Sequence, residues 1–208
     1  MSSFTQDPVN LGAKNIEIDD PFHFYCDGCG NCCRGRNNLI SGTEIFLSGP
    51  DVWRIMDHTK LTFEKLLEKN INVNFDPDLK LNLCSLKFRY DGSCTFLRKG
   101  RCMVYDVRPR TCALYPLGRA ILFHQIGKQI VHYKDDYVIN GMEPGYQCNF
   151  GSDEKYTVTE WLQKNSVPIE DTEDIKWYQR MAEYSDRANR KTLQKSELEK
   201  IFYGLYAR

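Results

Sequence analysis

Four cysteines crowd one short stretch of this chain, Cys26-Asp-Gly-Cys29-Gly-Asn-Cys32-Cys33. Cysteines separated by two residues can wrap one metal ion, because the intervening residues close a tight knuckle. Structural zinc sites use this spacing, and iron–sulfur proteins use similar runs. Gly28 and Gly30 suit such a knuckle, since glycine enters the positive-φ region freely and lets backbone N–H groups approach sulfur. The spacing fits zinc and iron equally. Cys32 and Cys33 are adjacent, and in an extended backbone neighbouring side chains point to opposite sides. They are therefore expected to face different surroundings: two metal sites, a metal and a substrate face, or a metal and the core.

A second group, Cys94, Cys102, Cys112 and Cys148, is spread further along the chain. Cys94 and Cys102 follow glycine turns, and Cys112 follows Arg108-Pro109-Arg110-Thr111. Together the groups supply eight thiols, enough for two four-thiolate sites or one multinuclear cluster. The ninth cysteine, Cys84, sits in Leu83-Cys84-Ser85-Leu86 and is expected to be a small core hydrophobe. Eight basic residues lie between Cys84 and Arg119, against Asp91 and Asp106. Cationic neighbours favour the thiolate that binds metal; the same surplus suits an anionic partner. Arg108 and Arg110 flank Pro109 at alternating positions. One is expected against the thiolates and the other against a carboxylate or anionic ligand. The histidines are weaker candidates. His124 and His132 lie on opposite arms of an expected hairpin and could meet across it, His23 is a spare ligand, and His58 suits a helix C-terminus.

Composition bounds the rest. The chain has 208 residues, 28 basic and 28 acidic side chains, 41% hydrophobic and 12% aromatic residues. That excludes a disordered chain and argues against a generally basic nucleic-acid-coating protein. No apolar run reaches transmembrane length, so no membrane association is expected. The first twenty residues lack the pattern of a secretory signal. A cytoplasmic location is therefore expected, where disulfides are rare. Nine thiols, an odd number, in a reducing compartment point to metal rather than disulfides. No dinucleotide fingerprint, phosphate loop or nucleophile elbow occurs, so any chemistry must be carried by the metal.

The elements that would position these thiols are short. Residues 1–21 read as a polar lead-in, Phe22–Tyr25 as an aromatic run, and Cys26–Gly35 as a loop. Glu44–Leu47 reads as a short strand. Ser48-Gly-Pro50-Asp51 opens one helix, and Thr62 caps a second. Alternation at Leu86, Phe88 and Tyr90 predicts a strand, with turns at Asp91-Gly92 and Arg98–Gly100 and a further strand at Met103–Tyr105. Pro109 opens a short helix that Pro116 ends. Ala120–Ile126 and Gln129–Tyr133 form a hairpin around Gly127-Lys128. Capping boxes are read at Thr157/Glu160 and Ser196/Glu199, and Asp171–Asp174 marks another helix start.

The quoted motifs resemble the YkgJ-type cysteine-cluster proteins, a family of zinc- or iron-chelating domains. The likeness includes Cys26–Cys33, Gly92-Ser-Cys94-Thr-Phe-Leu97, Gly100-Arg-Cys102-Met-Val-Tyr105 and Arg108-Pro109-Arg-Thr-Cys112-Ala-Leu-Tyr-Pro116. Cys148 fits the closing cysteine, and Thr157–Leu162 looks like the helix that follows it. Cys84 has no place in the pattern. The larger flagellin lysine methylases carry a similar cluster, which implies iron–sulfur and S-adenosylmethionine chemistry there. No methyl-donor pocket can be matched here, so that activity is not carried over. The expectation is an α+β fold, with hairpins and turns organised around a cysteine metal cluster and packed amphipathic helices. Residues 22–162 would form the metal domain and 163–208 a helical extension packed on it. The cofactor would be zinc or iron, including a 4Fe-4S cluster. Three roles compete: an enzyme acting on a peptide or protein, a zinc-stapled interaction module, and a metal carrier.

Overall fold

The computed structural model describes residues 14–26, 28, 30–34, 44–127, 129–139 and 153–207. Among them are six α-helices and several small antiparallel sheets, an α+β fold.

The N-terminal part supplies two edge strands. β1 (Lys14–Ile16) pairs antiparallel with β8 (Gln129–Ile139), and β2 (Pro21–His23) pairs with β9 (Lys155–Thr157). The lead-in was expected to be irregular. It is strand because β8 offers an unpaired edge for Lys14–Ile16, where Ile16 is buried. β8 pairs on its other side with β7 (Leu117–Ile126), completing a sheet of order β1-β8-β7. The expected hairpin over Ala120–Tyr133 is therefore present and longer at both ends.

Helix α1 (Gly49–Thr59) starts at the predicted place. Ser48 accepts from the backbone N–H of Asp51, Asp51 accepts from that of Ser48, and Pro50 occupies the first turn. Thr62 caps α2 (Phe63–Lys69). The chain then forms a hairpin outside the expected elements, β3 (Ile71–Asp76) with β4 (Leu81–Leu86), in which Ile71, Val73 and Phe75 alternate with polar residues. The stretch Glu44–Leu47 lies along β4: Leu47 N–H donates to Cys84 O and Leu86 N–H to Ile45 O.

A two-residue hairpin follows, β5 (Leu97–Arg98) with β6 (Arg101–Cys102), turning through Lys99 and Gly100, both at positive φ. The strand expected at Met103–Tyr105 is instead a turn leading into a 3-10 segment, Tyr105–Val107. Pairing is complete at Cys102, and the chain must reverse there to deliver Arg108 and Pro109. Helix α3 (Arg110–Leu114) then runs between Pro109 and Pro116, as the two prolines dictate.

Helix α4 (Val158–Lys164) begins at the Thr157/Glu160 capping box. α5 (Thr172–Arg190) follows Asp171. α6 (Lys195–Tyr206) starts two residues before the expected Ser196 box: Glu197 accepts the backbone N–H of Gln194, and Ser196 already lies in the first turn.

Two buried clusters hold these pieces together. In one, Phe22, Phe24, Trp161 and Leu162 pack with Leu114, Leu117 and Tyr137. In the other, α1, α2, β3, β4 and α6 bury Val52, Ile55, Leu66, Leu83, Cys84, Leu205 and Tyr206. Gly49 is required at the second: a Cβ there would sit 2.3 Å from Leu205 O and 2.5 Å from Trp177 Nε1. Trp177 Nε1 donates to that same carbonyl, and Trp53 Nε1 to Tyr206 O, so the end of α6 is held by two indoles. Cys94, Phe96 and Leu97 belong to the second cluster, and Cys33, Cys102 and Cys112 pack on it.

Candidate metal centre

Each candidate thiol is delivered by a different device. Cys26 follows Phe24, whose ring packs edge-on against Trp161 and Tyr115 at centroid distances of 5.2 and 5.8 Å. Gly28 and Gly30 then take φ of +71° and +73°. At Gly30 space matters too, since a Cβ would lie 3.2 Å from Leu97 Cδ1. Cys33 N–H bonds Gly30 O at 3.0 Å, closing the 3-10 turn Asn31–Cys33. Cys94 N–H then donates to Cys33 O at 2.8 Å, stitching the first motif to the second. Cys102 ends β6 opposite Leu97. Cys112 is the third residue of α3.

These devices converge. Cys26, Cys32, Cys33, Cys94, Cys102 and Cys112 all line one cavity of about 110 Å³. That is several times the ~10–15 Å³ a single water requires. The other walls are mostly apolar, including Phe24, Phe88, Phe96, Val104, Tyr115 and Trp161, with Arg108, Thr111 and Asn165 as polar members. Cys29 and Cys148 lie outside the described residues. Among the described residues no three His, Cys, Asp or Glu side chains are already grouped to hold an ion; the cysteines line the cavity without being gathered at one point.

The adjacent pair departs from expectation. Cys32 and Cys33 do not face opposite sides: their sulfurs are 4.0 Å apart and both line the cavity. The backbone is a 3-10 turn rather than extended, so the alternation of a strand does not apply. Two thiolates on one tetrahedral zinc at ~2.3 Å would stand about 3.8 Å apart, close to this spacing.

The electrostatics suit a cation. Burial pushes the Cys94 thiol up, reinforced by Cys102 and opposed by the Phe96 N–H, the Arg89 charge and the Leu97 N–H. Burial likewise raises Cys102, opposed by the Val104 N–H and the Arg108 charge and reinforced by Cys32. These apolar walls disfavour bare thiolates, and a bound cation would reverse that preference and release the protons. Cys84 stands apart: it is fully buried in β4, burial alone raises its thiol, and it does not line the cavity.

The charge surplus is spent unevenly. Of its eight basic residues, Arg108 alone lines the cavity. Its guanidinium stacks 4.0 Å from the Tyr105 ring centroid and donates to Asn165 Oδ1 at 2.5 Å. Arg110 points away, with Nε 2.6 Å from Asp171 Oδ2. The carboxylate half of the expected division is present at Arg110, while Arg108 reaches the cavity with Tyr105 and Asn165 as its partners. Arg119 pairs with Asp135, and Lys87 donates to Glu68 O. The histidines do not meet: His124 is in register with Val131 and stacks on Tyr133, while Phe123 opposes His132. A register shift at Leu122/Phe123 separates them, and a ring nitrogen of His132 bonds Asp135. His23 does not line the cavity.

Sequence reasoning missed two supports. Asp51 was read only as a helix start, yet its Oδ1 accepts the backbone N–H of Arg110, the first residue of α3, at 2.9 Å. Arg89 was read as one charge of an alternating strand, yet its guanidinium is folded into the Cys94 loop. No signal in the local sequence distinguishes either residue.

An apolar cavity walled by thiols, with one guanidinium at its edge, defines a cysteine-based metal-chelating class. A family model agrees: CxxCxxCC, described as a putative zinc- or iron-chelating domain, matches residues 25–136. The match spans more than half of the chain, which belongs to this family. No curated protein and no solved structure matches it. Among the described residues no helix is long and apolar enough to cross a membrane.

Proposed function

We propose that the protein holds zinc or an iron–sulfur cluster in this cavity, using Cys26, Cys32, Cys33, Cys94, Cys102 and Cys112, with Cys29 and Cys148 completing the set. The observation that carries the reading is selective convergence. Six cysteines from four separate segments line one cavity, and Cys84, the only other described cysteine, is buried elsewhere. Free Cys is a common buried residue, so burial alone would not place six at one site.

The bound group would supply Lewis-acid or redox chemistry. The chain's own contributions are the mostly apolar walls and Arg108, whose charge favours the Cys102 thiolate. One side of the site is accessible: Tyr25 and Tyr105, both exposed, line the cavity, and Cys26 is exposed. That opening favours a centre that meets a peptide or protein partner over a fully enclosed structural staple. Free thiols suit work in a reducing cytoplasm.

Anaerobic purification followed by zinc, iron and acid-labile sulfide analysis beside a visible spectrum tests the proposal. Stoichiometric metal supports it, and sulfide with visible absorption selects the iron–sulfur form. A folded protein free of both metals would refute it.

A further inference from the structure

The loop bearing Cys94 wraps around a cation. Arg89 Nη1 donates to Cys94 O at 2.7 Å, Ser93 Oγ at 3.1 Å and Leu97 O at 3.2 Å, and Nη2 donates to Thr95 O at 2.8 Å. The backbone of Arg89 joins in: its N–H bonds Ser93 O at 2.8 Å, and its carbonyl accepts from Gly92 at 2.9 Å. Three main-chain carbonyls from residues 94–97 thus converge on one guanidinium. Without it their negative ends would repel one another.

The consequence for sulfur follows from peptide geometry. In a trans peptide the carbonyl oxygen and the N–H lie in one plane and point in opposite directions. The Thr95–Phe96 peptide has its oxygen on Arg89, so its N–H is turned away from the guanidinium, where it favours the Cys94 thiolate. The next peptide closes the same turn without Arg89: the Leu97 N–H donates to Cys94 O at 2.9 Å, and the Phe96 carbonyl accepts Met103 N–H at 2.9 Å. Arg89 therefore orients a peptide in the turn that carries the candidate ligand.

We infer that Arg89 is a positioning residue for the metal centre: by gathering the carbonyls of the Cys94 loop it fixes the backbone that presents Cys94 to the cavity and sets how firmly that thiolate keeps its metal. Resting on the metal-binding reading above, the inference assigns Arg89 no contact with the metal. Lysine is not an adequate substitute. A planar fork reaches several acceptors at fixed angles, whereas an ammonium is a point charge with three rotatable donors. Orienting partners of this kind are worth about 10- to 100-fold in metal affinity when removed.

The test uses the anaerobically purified full chain, with Arg89→Gln and Arg89→Lys beside the parent and Arg98→Gln as a surface control. Metal release to a chelator is timed, alkylation of each cysteine in the loaded protein is followed by mass spectrometry, and the metal-free forms are melted. Both Arg89 variants should bind metal about 10- to 100-fold more weakly, and Cys94 should become alkylated ahead of Cys102, while Arg98→Gln matches the parent. If Arg89→Gln fails to fold, Arg89→Lys decides alone through the same Cys94-selective change. Unchanged release and an unchanged alkylation order, with only a lower melting point, would make Arg89 purely structural and overturn the inference while leaving the metal reading intact. A parent protein that carries no metal would overturn both.

Discussion

Arg110 and Asp171 are joined by an ion pair of 2.6 Å, with both side chains largely buried. Through it, the short helix carrying Cys112 is tied to the start of α5. Asp51 completes the clamp from α1 by accepting the Arg110 backbone N–H. The last thiol of the described cavity is thus held by carboxylates from two helices that do not line it.

Removing one partner of a buried pair leaves the other charge uncompensated, at about 3–5 kcal/mol. Arg110→Gln should therefore lower the melting temperature by ~6 °C or more for a chain of this size. Arg108→Gln should behave differently. Arg108 is partly exposed, and its charge acts on Cys102. That variant should melt close to the parent yet release metal to a chelator faster. Melting curves and chelator kinetics on both proteins check the contrast; identical behaviour of the two would contradict it.

Cys84→Ala should leave metal content unchanged. Its cost should be a packing loss of about 1 kcal/mol or more, since Cys84 is fully buried between β3 and the Tyr206 region. Metal analysis beside a urea titration separates the outcomes. Loss of a metal equivalent would make Cys84 a ligand.

The same clamp carries a pH dependence. Asp174 is buried beside Asp51 and Asp171, accepts from Ser48 Oγ at 2.8 Å, and has its pKa pushed up to about 7 by burial and by the two neighbouring carboxylates, against the opposing charge of Arg54. A carboxyl whose folded pKa lies above its unfolded value binds more protons when folded between the two. Its contribution is complete below about pH 4 and is lost as pH rises through about 7. Asp174→Asn keeps the hydrogen bond and abolishes the titration. The stability difference between variant and parent should therefore move in favour of the variant from pH 5 to pH 8. Denaturant titrations across that range measure it, and a constant difference would contradict the assignment.

Legibility in the sequence followed the range of the interactions involved. Ser48, Thr62 and Thr157 announced their helices, because a capping bond spans three residues. Pro109 and Pro116 bounded α3 for equally local reasons. The β3 strand carried a readable signal, since Ile71, Val73 and Phe75 alternate with Asn72, Asn74 and Asp76; its pairing with β4 was set by folding, which leaves Val73 and Phe75 exposed. β1 was hidden because its partner lies more than a hundred residues away. The cavity cysteines were legible through residue type and spacing. Which way Cys32 and Cys33 pointed was not, since that depends on the backbone of a turn. Arg110 and Arg89 were visible as charge, but their partners, Asp171 and the carbonyls of the Cys94 loop, were set only by folding.

Differential alkylation of the anaerobically purified protein, before and after chelation, reads the central claim cysteine by cysteine. Cys26, Cys32, Cys33, Cys94, Cys102 and Cys112, together with Cys29 and Cys148, should be protected in the purified protein and become reactive once metal is removed. Cys84 should stay unreactive until the chain unfolds. Free reaction of the six cavity cysteines in folded protein that has never met a chelator would contradict a thiolate metal centre.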